Sequence, residues 1–172
     1  MIRQKLLFLL IIILPNIANS QSAYSNLDKL YADFVKCLKD SNPQKLKEYC
    51  YKVTPDKATI AYMKKNNFSY RGLPEQVVKK RIKLSTIAED YYKAVLRFKE
   101  KLKNNNQLQN LKYVGRDNNK EIIFNKKLNI YFTETFIILE SDGDTIQYKL
   151  GEMFKINYRW KSFTLPKAPF GS

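Results

Sequence analysis

Two periods of apolar residues divide this chain. From Leu27 onward, apolar side chains recur every three or four positions: Leu27, Leu30, Tyr31, Phe34 and Leu38. That spacing places them on one face of a helix over about 26–40, entered through Ser25 and Asp28 at capping-box-like spacing. Asn42-Pro43 opens a second, short helix with Pro at its first position; Leu46 and Cys50 share its inner face. Thr54-Pro55-Asp56 repeats the start signal for a third helix near 55–65, stopped by Asn66-Asn67. After a loop over 68–73, Pro74 starts the main helix, about 74–103. Val77, Leu84, Tyr91, Val95, Phe98 and Leu102 form its apolar stripe, Ala88 lies beside it, and lysines fill much of the remainder.

Beyond Asn104-Asn105-Asn106 the period falls to two. Leu111–Val114, Glu121–Phe124, Leu128–Glu140, Thr145–Leu150 and Met153–Leu165 read as strands or hairpins, separated by turns at 117–119, 141–144 and 151–152. Asp142-Gly143 is the strongest turn, because this pair tolerates the positive φ angles of a tight hairpin. Phe154, Ile156, Tyr158 and Trp160 are expected on one side of the last element. Helices followed by antiparallel strands imply an α+β fold: N-terminal helices, and one long helix packed on a curved antiparallel β-meander. The helical half covers 26–103 and the strand half 110–165 of a single domain, 21–172.

The first residues fit neither period. Arg3 and Lys5 precede an unbroken apolar run, Leu6–Leu14, and Ala18-Asn19-Ser20 supplies small residues at cleavage spacing. This is the pattern of a secretory signal peptide over 1–20, and the run is shorter than the roughly 20 residues a spanning helix needs. The expectation is an exported protein, periplasmic or secreted and bacterial in type, with no transmembrane segment in the mature chain. The whole chain carries +15, and removing Arg3 and Lys5 leaves +13. The excess is mostly lysine. Such charge speaks to solubility and association with acidic surfaces.

Two cysteines, Cys37 and Cys50, fall late in successive helices. In an oxidising compartment a bridge between them is expected, clamping the helical hairpin; two buried thiols are the alternative.

Histidine is absent, which excludes Ser-His-Asp and Cys-His catalysis and histidine-bound metals. Asp142-Gly143-Asp144 lacks the further oxygen ligands of a calcium loop, and no metal site or cofactor is expected. Glu89, Asp90, Tyr91 and Tyr92 are neighbours on the main helix, but adjacent helical residues point about 100° apart and do not converge. Tyr131, Tyr148, Tyr158 and Trp160 are ordinary strand aromatics; nucleic acid is an unfavoured partner. Asn67-Phe68-Ser69 is a glycosylation sequon that matters only in a eukaryotic secretory route.

The closing segment Gly151-Glu152-Met153-Phe154-Lys155-Ile156-Asn157-Tyr158-Arg159-Trp160-Lys161 resembles the terminal strands of small exported members of the NTF2-like or cystatin-like α+β class. The order of elements over 74–165 is similar as well. The resemblance implies a cavity between sheet and helix. Tyr91 and Phe98 from the helix, and Tyr131 and Trp160 from the strands, are then candidate ligand contacts. The family's histidine-bearing active sites cannot exist in this chain.

The reading is a small exported binding or accessory protein without catalysis. It would hold a protein or small apolar ligand in the sheet–helix cavity, or an anionic envelope surface through its lysines. One alternative is an enzyme of the same class, of isomerase or dehydratase type. It would transfer protons through a buried carboxylate, Asp90 or Glu134, and a tyrosine, Tyr91 or Tyr131. The other is a secreted effector or inhibitor that binds an acidic protein.

Overall fold

A computed structural model describes residues 27–117 and 122–167. The signal-peptide reading, the Ser25 cap, the turn residues Asn118 and Asn119, Glu121 and the last five residues lie outside the described residues. Helix α1 runs over 27–39, followed by α2 (Pro43–Val53) and α3 (Lys57–Lys65). The expected start signals operate. The Asn42 side chain accepts from the Gln44 N–H at 3.0 Å, and that of Asp56 from the Thr59 N–H at 2.7 Å, each satisfying a donor the helix leaves free.

The expected main helix is two helices, α4 (Leu73–Val78) and α5 (Leu84–Asn104). The break is a Schellman closure. Lys80 adopts φ 55°, its N–H donates to the Val77 carbonyl at 3.1 Å, and the Arg81 N–H reaches back to Gln76 at 2.9 Å. The same device ends α3 at Asn67 and α5 at Asn106, with φ of 48° and 58°.

Among the described residues seven strands follow: β1 (Lys112–Arg116), β2 (Ile123–Asn125), β3 (Ile130–Thr133), β4 (Ile137–Ser141), β5 (Asp144–Tyr148), β6 (Met153–Ile156) and β7 (Arg159–Ser162). They pair antiparallel in the orders β1-β4-β5 and β2-β3-β6-β7. The result is an α+β fold whose curved meander does not close into a barrel. The expected single strand over 128–140 is broken at 134–136, where the chain passes from one sheet to the other. Asp117 pins that corner: its N–H donates to Phe136 at 2.9 Å, and its carbonyl accepts from the Thr135 hydroxyl at 3.0 Å.

Asp142 and Gly143 make the expected hairpin turn, with φ of 53° and 88°. The β6–β7 turn is Asn157-Tyr158, with φ of 48° and 61°. Tyr158 therefore stands at the tip, 92 % exposed, instead of on a strand face. The two-residue turn pairs Ile156 with Arg159 and Lys155 with Trp160. Trp160 thus lies on the face opposite Phe154 and Ile156, which corrects the expected one-sided row.

The four-stranded sheet is covered on both faces. One core joins α1, α2 and α5 to Ile137, Leu139, Tyr148, Met153 and Trp160. A smaller one joins Ile60, Met63 and Phe68 to Ile130, Phe154 and Ile156.

Cys37 and Cys50 are free thiols, which overturns the expected disulfide. Cys50 is fully buried and Cys37 packs half-buried against the same core, each as a small apolar side chain. Burial, and secondarily Cys37, push the Cys50 thiol up to about 12. The α1–α2 hairpin is tied without a bridge: the Tyr49 hydroxyl donates to the Leu30 carbonyl at 3.0 Å, and Phe34 packs on Tyr49 at 5.6 Å. No helix among the described residues is long and apolar enough to cross a membrane.

Candidate functional site

The four expected ligand contacts do come together, but as core. Tyr91, Phe98 and Trp160 are buried and Tyr131 packs half-buried against them. The Tyr91 hydroxyl donates to the Leu150 carbonyl at 2.7 Å, and Phe98 stacks on Tyr148 with ring centroids 3.8 Å apart. Tyr131 and Trp160 flank Lys155 on one face of β3-β6-β7. The Lys155 ammonium lies 5.7 Å from the Tyr131 ring, and burial lowers its pKa.

The expected carboxylate–tyrosine pairs do not form. Asp90 is exposed, 3.9 Å from Lys93, while Tyr91 points inward. Glu134 pairs with Lys149 at 3.3 Å. Glu89 accepts from the Tyr51 hydroxyl at 2.9 Å. A different pair does form: the Tyr70 hydroxyl donates to Glu152, and Arg71 stands 3.8 Å from the same carboxylate. Burial first, then Glu152, push the Tyr70 hydroxyl up to about 12. These residues lie in a loop and a turn far apart in sequence, and no periodic pattern joins them.

Asp142 and Asp144 are engaged by Asn110 and Gln107 at 2.6 and 3.0 Å. Among the described residues no cluster of acidic or sulfur side chains is placed to hold a metal ion.

Three surface grooves stand out among the described residues. The first, about 420 Å³, lies between α3 and α4, and local sequence builds it. The closure at Asn67 turns Phe68 inward, where it packs on Phe154 at 5.5 Å. Arg71 and Gly72, both at positive φ, then reverse the chain into α4, and Pro74 seats that helix against its neighbour. Met63, Phe68 and Pro74 form a buried apolar floor. Val78 is the lip, 55 % exposed. Lys64 and Lys79 rim the opening, with Glu75 as the one acid of the lining.

Lys80, Arg81 and Lys83 continue directly from this rim, all exposed. Among the described residues no carboxylate pairs with Lys64, Lys79, Lys80, Arg81 or Lys83. In the other two grooves part of the lining charge is already engaged. In the α1–β1 groove of about 540 Å³, Lys36 faces Asp33 at 3.5 Å and Lys39 donates to the Leu111 carbonyl at 3.3 Å. In the third, about 250 Å³, Lys161 pairs with Asp56 at 2.8 Å.

The sequence pattern places Lys79, Lys80, Arg81 and Lys83 among the lysines and arginines on the remainder of one continuous helix. The helix break next to a proline-seated turn is what makes them a rim. No family model matches this chain, and no curated protein or solved structure matches it significantly.

Proposed function

We propose that this chain is an exported binding protein that engages an acidic protein through its α3–α4 region. The reading is carried by five exposed cations, Lys64, Lys79, Lys80, Arg81 and Lys83, that lack a carboxylate partner among the described residues. Like charges held this close repel one another, and a negative partner relieves that repulsion while steering its own approach. The pattern of residues 1–20 supports export as the setting.

Fluorescence anisotropy of labelled poly-glutamate against the purified chain tests the reading, with an uncharged Gly-Ser polymer as control. Affinity is expected to fall about ten-fold or more between 0.1 and 1 M salt, as the screening length shrinks from about 10 Å to about 3 Å. Absence of binding at 0.1 M salt, or binding indifferent to salt, would sink it.

One observation favours a second reading, proton transfer by a carboxylate and a tyrosine: the Tyr70–Glu152 contact with Arg71 beside it. Neither Tyr70 nor Glu152 lines any of the three grooves, so the binding reading is preferred.

A further inference from the structure

We propose that the α3–α4 groove receives one apolar side chain of an acidic peptide segment, with carboxylates of that segment on both sides of it. This rests on the binding reading above and specifies its partner. The floor of Met63, Phe68 and Pro74 is apolar, and Val78 leaves a methyl surface exposed at the lip. A volume of about 420 Å³ lies near the small end of the range for ligand sites, which suits a single anchor residue. Burying Val78 against that anchor removes apolar area from water on both partners.

Charge sets what must surround the anchor. Lys64 comes from α3 and Lys79 from the end of α4, so cations stand on both sides of the floor. Carboxylates before and after an apolar residue match them. Glu75 repels a carboxylate at its own position on the α4 side and so gives the groove a direction. Asn67 and Ser69 offer an amide and a hydroxyl to a peptide backbone at the mouth.

Other anions fit less well. Single-stranded nucleic acid binds by stacking on exposed aromatic faces, and Phe68, the aromatic of this lining, is buried. A lipid surface calls for protruding apolar side chains, whereas this site is concave.

The test uses the whole exported chain and two labelled peptides, Glu-Glu-Leu-Glu-Glu and Glu-Glu-Gly-Glu-Glu, in a Gly-Ser background. The leucine peptide is expected to bind about ten-fold tighter, as burial of one such side chain implies. Val78→Asp, and the milder Val78→Ser, should erase that preference. Val78 is exposed, and circular dichroism verifies the fold. Lys64→Glu and Lys79→Glu should each weaken both peptides about two- to five-fold, and Lys29→Glu, at an exposed position of α1, less. Equal binding of the two peptides, unaltered by Val78→Asp, overturns the groove assignment and leaves the acidic-partner reading standing. No binding of either peptide or of poly-glutamate overturns both. Tighter binding to phosphatidylglycerol vesicles or to a single-stranded oligonucleotide, undiminished by Val78→Asp, overturns the peptide assignment in favour of those partners.

Discussion

Lys161 ends in the interior, 3 % exposed, and ties three elements together. Its ammonium donates to the Lys52 carbonyl at 2.7 Å and to the Asp56 carboxylate at 2.8 Å. The first contact serves an unpaired carbonyl near the end of α2; the second engages the cap of α3. Burial pushes the Asp56 carboxyl up, but Lys161 and the hydrogen bonds from Thr59 outweigh it and hold it down at about 2. The free-chain value is about 3.9. A carboxyl depressed on folding contributes stability above the free-chain value and loses it as pH falls through the folded one. Lys161→Met should therefore lower stability by about 1–3 kcal/mol and flatten the loss between about pH 4 and 2. Urea midpoints across that range check it; identical acid limbs would refute the linkage.

Two tyrosines give a paired prediction. The buried Tyr148 hydroxyl has no hydrogen-bond partner among the described residues, whereas the Tyr91 hydroxyl donates to Leu150. Tyr91→Phe should cost about 1 kcal/mol, and Tyr148→Phe nothing or a gain of similar size; thermal melts of the two variants should move apart. The stripe placed Tyr91 and Phe98 inward correctly, because helical spacing reports burial. It could not say whether the space beside them was empty. Burial of Lys161 was not legible at all: strand alternation sends a lysine next to Trp160 outward, and only α3 lying on that second face turns outward into inward.

Among the elements, stops with a chemical signature were readable and stops imposed by packing were not. Asp142-Gly143 and Asn104-Asn105-Asn106 announce themselves through residues that accept positive φ. Asn157-Tyr158 does not, since tyrosine is no turn former, and its recognition needs the register of β6 against β7. The α4–α5 break hid behind an apolar stripe in which Val77 and Leu84, seven apart, continue the helical period. The closing residue of α4 is Lys80 at φ 55°, a conformation that costs an L-residue about 1–2 kcal/mol. Glycine adopts it freely and is the common choice there. Lys80→Gly should raise stability by about 0.5–1 kcal/mol while removing one cation from the rim. A higher urea midpoint together with weaker poly-glutamate binding is the expected result, and an unchanged or lower midpoint contradicts the strain. Gly151 is the reverse case. It sits at φ 104°, and a Cβ there would come within 2.4 Å of the Thr164 carbonyl oxygen. No side chain can replace it without moving backbone.

For the molecule as a whole, net charge was legible and its distribution was not. The larger core joins α1, α2 and α5 to one side of the sheets. The smaller one supplies the apolar packing of α3 and α4 on the other. Two further terms weaken that side. Helix α4 has six residues, too few to persist without tertiary packing. The cations Lys64 and Lys79 repel one another across the groove, and Lys80, Arg81 and Lys83 add like charge next to Lys79 along the chain. Opening free energies vary within a protein, and regions with little buried apolar surface open first. Amide exchange of α3 and α4 should therefore proceed through a local opening at lower free energy than that of α5. High salt, or saturation with the leucine-centred acidic peptide, should slow exchange in α3 and α4 selectively, because each relieves the repulsion without touching the larger core. Hydrogen-exchange mass spectrometry resolves the two regions. Exchange of α3, α4 and α5 at one common free energy, unmoved by salt or peptide, would mean that the basic region is as firmly built as the rest and carries no stored repulsion for a partner to relieve.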